Sequence, residues 1–261
     1  MDRSTETVSR HGLPGGIAAR MKDHHPVTVA VVIAILGWVL LSAVTVGLGL
    51  LLTHVLLHGG LGRWDEHVDD WFVPHRTAML NSITAVGTII GSTMTVVAVA
   101  AVAVAVLAFR RLWQEIGLIV IALTVEVAVF LTTTVVVSRP RPTVPRLDPS
   151  PPTSSFSSGH TGAAIALWIS LAIVISRHVK SMVVRALVWI VAVALPVFVG
   201  LCRLYRGMHH PTDVLAGILV GVGAILIAGL AVGTASTVAA IRRPAEAVDA
   251  APAPSSVPVA S

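Results

Sequence analysis

Three short polar clusters interrupt an otherwise apolar chain, and their side chains are of the types that bind and transfer phosphate. The first, residues 139–142, reads Arg-Pro-Arg-Pro, and the second, residues 157–160, reads Ser-Ser-Gly-His. The third lies within residues 203–213 and holds two arginines, two adjacent histidines and an aspartate. Arginine binds phosphate oxygens bidentately, and imidazole serves as a nucleophile or a proton donor. The clusters therefore indicate phosphoryl chemistry.

The third cluster has the spacing of a nucleophile and the carboxylate that orients it. Pro211 suits the first turn of a helix. If that helix reaches back to His209, then His209 and Asp213, four residues apart, share one face. A carboxylate there can accept the Nδ1 proton and leave Nε2 bare as a nucleophile. His210 lies about 100° further around the helix, so we expect it to pack or hydrogen-bond locally.

The second cluster is a turn of small residues at the start of an apolar stretch. A helix N-terminus offers free amide groups to an anion. His160 would stand beside that anion, where a general acid protonates a departing alkoxide. Arginines from the first and third clusters, Arg139, Arg141 and Arg203, could complete the site with bonds to phosphate oxygens.

The composition indicates a membrane protein. Of 261 residues, 55% are hydrophobic and 12% are charged, and the mean hydropathy is +0.86. Water-soluble domains carry about twice that charged fraction. The net charge of +5 reflects basic loops, because no basic stripe with interleaved aromatics indicates nucleic-acid binding. One cysteine excludes an intramolecular disulfide, and the apolar stretch from Val27 is too long for a cleavable signal.

The pattern predicts an all-α, polytopic membrane helix bundle with six transmembrane helices. About 20 apolar residues suffice to cross a bilayer, and six stretches qualify: 27–52, 82–109, 113–137, 159–176, 186–201 and 211–241. We expect residues 1–26 to form a polar arm and residues 27–241 to form the membrane domain. The tail, residues 242–261, is of low complexity, and we expect it to be disordered.

The distribution of basic residues predicts the orientation. Lysines and arginines gather in the N-terminal arm, at residues 110–111, in the hairpin 177–185 and at residues 242–243. By the positive-inside rule these segments are cytoplasmic, and so are both termini. The remaining loops, 53–81, 138–158 and 202–210, then share the extracytoplasmic face. They bring the three polar clusters together on that face.

Three further features have structural interpretations. The acidic run 65–70 is expected to be the solvated face of an interfacial helix. Gly87, Gly91 and Ser92 are expected to pack helices together. Glu126 is an acid in mid-span, which by default suggests function. We favour a structural role for Glu126, bonded to the arginines of the site or to a nearby threonine hydroxyl.

The three clusters resemble the signatures of the type 2 phosphatidic acid phosphatase (lipid phosphate phosphatase) superfamily, which includes bacterial undecaprenyl pyrophosphate phosphatases. The family signatures are Lys, six residues, Arg-Pro; then Pro-Ser-Gly-His; then Ser-Arg, five residues, His, three residues, Asp. The positions that match here are Arg141, Pro142, Ser158, Gly159, His160, Arg203, His209 and Asp213. Three spaced motifs in the right order are far more specific than one, and the resemblance runs over residues 126–217.

The resemblance implies a role for each matching residue. The residues implied to bind phosphate are Arg141, Arg203, Ser158 and Gly159. His209 is implied to attack the phosphorus, Asp213 to orient His209, and His160 to protonate the leaving group. The resemblance implies no metal and no other cofactor.

The chain departs from the family pattern at three positions. Thr134 stands where the signature lysine would be, Ser157 replaces the proline and Cys202 replaces the serine. The last two positions supply no reacting atom, whereas the lysine is a phosphate ligand. The predicted source of the missing charge is Arg139, alone or with Arg146 or Arg206.

The resemblance implies a membrane-bound phosphatase that needs a lipid phosphate as its partner in the bilayer. Candidate substrates are undecaprenyl pyrophosphate, phosphatidic acid and phosphatidylglycerol phosphate. The alternative is a non-catalytic lipid-phosphate-binding or transport protein that retains the fold, which Thr134 favours. Retention of both histidines and Asp213 argues for catalysis, since binding alone needs no nucleophile. Transfer of the phosphoryl group to an alcohol other than water is a third possibility.

Overall fold

The part of the chain that the structure describes folds into α-helices joined by loops. The structure, a computed structural model, describes residues 12–149 and 153–249, with side chains as far as Arg242. These residues form nine α-helices and no strand: α1 (Leu13–Arg20), α2 (Pro26–His54), α3 (Gly60–Phe72), α4 (Ala78–Ile90), α5 (Thr93–Phe109), α6 (Trp113–Val136), α7 (Gly159–His178), α8 (Met182–Tyr205) and α9 (Pro211–Asp249). Helix α1 lies within the expected polar arm. The rest of that arm, residues 1–11, and the tail from 250 lie outside the described residues.

Five of these helices are long and apolar enough to cross a membrane: α2, α6, α7, α8 and α9. Helices α4 and α5 pass the same test as a pair bent by 49°. At the break, the Ser92 hydroxyl accepts a hydrogen bond from the backbone N–H of Thr95 and so caps α5. The architecture of a multi-pass, all-α membrane protein is confirmed, with six spans if the bent pair is one of them. Helix α9 continues to Asp249, beyond the predicted end at 241.

The described residues pack as two compact units. One takes the residues up to Ile33 and those from Leu230 onward, and the other runs Ala34–Gly229. All three polar clusters belong to the second unit. Its core includes Leu41, Val125 and Val220, from α2, α6 and α9.

Glycines allow two pairs of helices, α4 with α8 and α7 with α9, to approach closely. A Cβ on Gly91 would lie 2.6 Å from Val199 Cγ1, and a Cβ on Gly87 would collide with Cys202 Sγ, so α4 packs tightly on α8. The predicted packing role of these two glycines is confirmed. On the other side of α7, a Cβ on Gly217 would lie 2.5 Å from the carbonyl oxygen of Ser158. The backbones of α7 and α9 are therefore in contact at the ends that carry the polar clusters.

The Pro- and Ser-rich loop between α6 and α7 is held by arginines from other elements. Arg76 Nη1 donates to the carbonyl oxygen of Pro145 at 2.6 Å, and Arg206 Nη2 donates to that of Leu147 at 3.0 Å. Within the loop, the Ser155 N–H donates to the Arg139 carbonyl oxygen at 3.0 Å. These bonds fix the loop against the ends of α8 and α9, where the third cluster lies.

Candidate active site

His209 lies buried in the turn between α8 and α9. Its Nδ1 is 2.8 Å from the carbonyl oxygen of Ser155 and 3.8 Å from Oδ2 of Asp213. A carbonyl oxygen can only accept a hydrogen bond, so Nδ1 carries the proton and Nε2 is the bare nitrogen. The sequence predicts Asp213 as the acceptor of that proton. In the structure the Ser155 carbonyl is the acceptor, and the carboxylate of Asp213 lies just beyond hydrogen-bond distance.

Asp213 instead holds the turn that carries His209. Its Oδ2 accepts a hydrogen bond from the backbone N–H of His210 at 2.9 Å, and its Oδ1 accepts one from Arg139. The carboxylate is fully buried. Its negative charge lies near the His209 ring and stabilises positive charge that develops there.

Burial lowers the pKa of His209 below its ordinary value of 6.5. The positive charges of Arg203 and Arg141 act in the same direction, whereas Asp213 raises the pKa and only partly offsets them. The imidazole is therefore neutral at pH 7. Neutral imidazole is the form that can attack phosphorus.

One cavity of about 330 Å³ is lined by both predicted imidazoles and by two predicted guanidiniums. His209 contributes from the α8–α9 turn, and His160 and Gly159 contribute from the first turn of α7. Arg141 comes from the loop after α6, and Arg203 comes from the last turns of α8. Residues from four separate segments of the chain thus meet around one space.

Ser158 contacts protein groups through its side chain and its backbone. Its side-chain oxygen lies 3.0 Å from Oγ1 of Thr161, and its backbone N–H donates to the Asp213 carbonyl oxygen at 3.0 Å. Either hydroxyl of the first pair can be the donor, so phosphate binding by the Ser158 hydroxyl stays a prediction. Ser158 joins α7 to α9, and Gly159 is the residue of this motif that lines the cavity.

The two guanidiniums of the cavity are anchored by different partners. Arg141 Nη1 donates to the Met208 carbonyl oxygen at 2.7 Å, and burial lowers the pKa of Arg141. Arg203 Nη1 donates to Asp148 Oδ2 at 2.9 Å. Asp148 also pairs with Arg206 at 2.6 Å, so Arg206 is bound to a carboxylate and does not line the cavity.

Asp148 is a functional candidate that the sequence did not reveal. Burial raises its pKa, but the hydrogen bond from Arg206 and the charges of Arg203 and Arg206 outweigh that effect, so the pKa lies below its usual value. Asp148 is therefore ionised at neutral pH. It fixes the position of Arg203 and leaves the other side of that guanidinium to the cavity.

Arg139, predicted to bind phosphate in place of the signature lysine, lies outside the cavity. Its guanidinium is 3% exposed as part of a buried network. Nη2 pairs with Asp65 Oδ2 at 2.6 Å, and Nη1 pairs with Oδ1 of Asp213 and with the Thr212 hydroxyl. Two carboxylates thus surround Arg139. These contacts hold Asp213 in place, and phosphate binding by Arg139 stays a prediction.

Helix α3 supplies carboxylates to this network, and the prediction of a solvated acidic face is wrong for two of its residues. Asp65 and Asp69 are 1% and 2% exposed. Asp65 accepts hydrogen bonds from the hydroxyl and the backbone N–H of Thr212, at 2.5 and 3.1 Å. Asp69 Oδ2 lies 2.6 Å from His210 Nδ1, which confirms the local role predicted for His210. Helix α3 therefore clamps the start of α9.

The sequence carries a signal for this clamp in the spacing of the two acids. Asp65 and Asp69 are four residues apart and share one face of α3, whereas Glu66 and Asp70 occupy the exposed side. Two carboxylates on one buried face of a helix need cations or hydrogen-bond donors from other parts of the chain. The sequence does not say which cations, because Arg139 is 74 residues from Asp65.

The rest of the cavity wall is mostly apolar and comes largely from α6. Phe130 packs against Gly159, and Val127 and Leu131 line the cavity beside it. Val127 is 47% exposed and Leu131 is 55% exposed on the outer surface of the helices. The cavity therefore joins a cationic end to an apolar side that faces the surroundings of the protein, which suits an amphiphile with a phosphate headgroup.

Comparisons with known proteins agree with this geometry. Residues 117–239, which include all three polar clusters, match the PAP2 superfamily. The fold resembles that of a transmembrane PAP2-type phosphatidylglycerolphosphate phosphatase from Bacillus subtilis, with 22% identity and a TM-score of 0.62 over 78% of this chain and 94% of that one. It also resembles LpxE from Aquifex aeolicus, with 21% identity and a TM-score of 0.50 over 62% of this chain and 92% of that one. No curated protein matches the chain.

Proposed function

Because residues 117–239 match the PAP2 superfamily, we propose that the chain is a membrane lipid phosphatase, which hydrolyses a lipid phosphate through a phosphohistidine at His209. One observation carries the proposal. His160, His209, Arg141 and Arg203 line a single cavity whose other wall is mostly apolar. A nucleophile, an acid and two cations around a space of that size can hold and cleave one phosphate group.

In the proposed first step, Nε2 of His209 attacks the phosphorus while the bond to the lipid oxygen breaks. The leaving oxygen takes a proton from His160, whose protonated form the bound phosphate anion favours, so the lipid departs as a neutral alcohol or as a lipid phosphate. Arg141 and Arg203 neutralise the oxygens of the transferring phosphoryl group. The Ser155 carbonyl and Asp213 stabilise the positive charge on His209.

In the second step, water attacks the phosphohistidine. His160, now neutral, takes a proton from that water, and the P–N bond breaks to give inorganic phosphate and free His209. The two histidines are then in their starting protonation states. Apart from the lipid and the water, every group in this cycle belongs to the chain.

The substrate belongs to the set of lipids that present a terminal phosphate: phosphatidic acid, phosphatidylglycerol phosphate and undecaprenyl pyrophosphate. The half-exposed Val127 and Leu131 support a substrate whose apolar part stays in the bilayer. The orientation is also part of the proposal. The positive-inside distribution supports an extracytoplasmic site with both termini in the cytoplasm.

The first test is phosphate release from purified protein in detergent micelles with EDTA present. The panel contains the three candidate lipids, and free phosphate is measured. We expect release from at least one lipid, because the cavity offers a nucleophile, an acid and two cations without a metal ligand in any step. Release that occurs only when a divalent cation is restored would contradict the mechanism.

A non-catalytic lipid-phosphate binder is the second candidate, and one observation favours it. Thr134 replaces the signature lysine, and Arg139 pairs with Asp65 and Asp213, so neither adds a charge to the cavity. On this alternative the same lipids bind but no phosphate appears. If the protein binds a lipid phosphate but releases no phosphate in the EDTA assay, the non-catalytic alternative is supported.

Replacement of Asp148 by asparagine is expected to lower kcat/KM for phosphate release by roughly 10–100-fold, the worth of one or two charged hydrogen bonds. Without the carboxylate, Arg203 loses its anchor at 2.9 Å and two adjacent guanidiniums lose their shared counter-ion. Asp23→Asn, at an exposed carboxylate outside this unit, is the control. Equal activities of the two variants would remove Asp148 from the site.

A further inference from the structure

Glu126 is a buried carboxyl group on the wall of the catalytic cavity, and no step above uses it. Its side chain lies in the middle of α6 and is 2% exposed. It lines the same cavity as His160, Arg203 and His209. Within residues 12–149 and 153–249, no protein group forms a hydrogen bond or an ion pair with it. The expected bonds to an arginine or a threonine hydroxyl are therefore absent there.

The position of Glu126 is defined by the glycines of α7. The Phe130 ring fills the space beside Gly159, and the Glu126 carboxyl fills the space beside Gly162, where a Cβ would lie 2.5 Å from Oε1. Gly162 follows His160 by two residues, which is about 3 Å along a helix axis. Glu126 thus lies deeper than the phosphate-binding end, beside the path of the lipid that leaves.

A carboxyl group buried without a partner is costly, and more so within a membrane span. Glu126 lines the cavity, so a hydrogen-bonding group that fills the cavity can reach its carboxyl. A carboxylic acid can donate to an ester carbonyl, and a carboxylate can accept from a hydroxyl. The partner is therefore a hydrogen-bonding group of the lipid near the scissile phosphate.

We propose that Glu126 binds an ester or hydroxyl oxygen of a glycerol-based leaving group, and that the enzyme thereby prefers glycerolipid phosphates over polyprenyl phosphates. The inference rests on the proposed function. In a glycerolipid phosphate, oxygen-bearing carbons lie directly next to the phosphoester carbon. A polyprenyl chain offers only C–H groups there, and a polyprenyl pyrophosphate would bring a second phosphate toward the carboxyl group. Neither satisfies Glu126 as well.

The test compares Glu126→Leu and Glu126→Gln on two monophosphates, phosphatidic acid and a polyprenyl phosphate. Leucine matches the size but cannot hydrogen-bond, whereas glutamine retains both a donor and an acceptor. We expect Glu126→Leu to lower the ratio of kcat/KM for phosphatidic acid over polyprenyl phosphate by roughly 3–10-fold, the net worth of one neutral hydrogen bond. Glu126→Gln should keep most of the ratio.

Val127→Leu is the matched control, because Val127 lines the same cavity on the same helix with an apolar side chain. Its bulk can change both rates, but the ratio should stay within about 2-fold, since this substitution alters no hydrogen bond. Leucine is favourable in a membrane span, so Glu126→Leu should fold. A monodisperse peak in size-exclusion chromatography checks that it does.

A ratio that is unchanged in Glu126→Leu would overturn the inference while leaving the phosphatase activity established. If the wild-type protein releases no phosphate from any lipid, the proposed function fails instead. The inference is then tested by binding alone. The ligands are the phosphonate analogues of phosphatidic acid and of the polyprenyl phosphate, in which carbon replaces the scissile oxygen. A weaker preference for the diacylglycerol phosphonate in Glu126→Leu supports it, and an equal preference overturns it.

Discussion

Replacing His209 with alanine is expected to reduce phosphate release by on the order of 10⁴-fold or more, as loss of a covalent nucleophile does in other enzymes. The Nε2 atom that would form the P–N bond is gone, and no neighbour can take its place. His210 is the adjacent imidazole, but its Nδ1 is bound to Asp69 at 2.6 Å. The measurement is free phosphate under saturating and limiting lipid.

The covalent intermediate gives this prediction a second readout. Wild-type protein quenched during turnover of a ³²P-labelled lipid should retain label, and the His209→Ala protein should retain none. His178→Ala is the control, because His178 ends α7 at a distance from the cavity and pairs with Glu115. Label that persists in the His209→Ala protein would show that another residue is the nucleophile.

Replacing Arg139 with methionine is expected to destabilise the protein by about 3–5 kcal/mol, the cost of breaking a buried ion pair from one side. Two carboxylates, Asp65 and Asp213, would remain buried without their cation. Because Asp213 holds the turn that carries His209, kcat should fall as well. Unfolding in detergent measures the first effect, and phosphate release at saturating lipid measures the second.

A double variant separates this role from phosphate binding. Adding Asp65→Asn to Arg139→Met removes one of the two unpaired charges, so part of the lost stability should return. Arg63→Met is the control, since Arg63 is an exposed arginine on the same helix as Asp65. If Arg139→Met raised KM at unchanged stability and kcat, Arg139 would be a phosphate ligand, as the sequence predicts.

The sequence alone predicts the parts of this molecule that depend on local pattern. Hydropathy marks the spans, because a bilayer must be crossed by about 20 apolar residues in a row. The spacing of Arg203, His209 and Asp213 places them at one helix junction. The convergence of Arg203 and His209 with His160 on one cavity follows once the spans place three loops on one face.

The parts that the sequence does not predict depend on contacts between distant segments. An arginine can pair with a phosphate or with a carboxylate. Only the fold shows that Arg139 pairs with the carboxylate of Asp65. Asp148 is one acid in a Pro-rich loop, and nothing nearby in the sequence marks it as the partner of Arg203 and Arg206. The bend between α4 and α5 likewise lies beside a long-range contact, that of Gly91 with Val199 of α8.

The close contact of α7 with α9 has a consequence for how a lipid reaches the histidines. A Cβ on Gly221 would lie 2.8 Å from the Gly162 carbonyl oxygen, and the contact at Gly217 is closer still. A hydrocarbon tail has no room between these two helices at these contacts. On the proposed function, we therefore expect a lipid to enter from the membrane plane past Val127 and Leu131, with its phosphate leading.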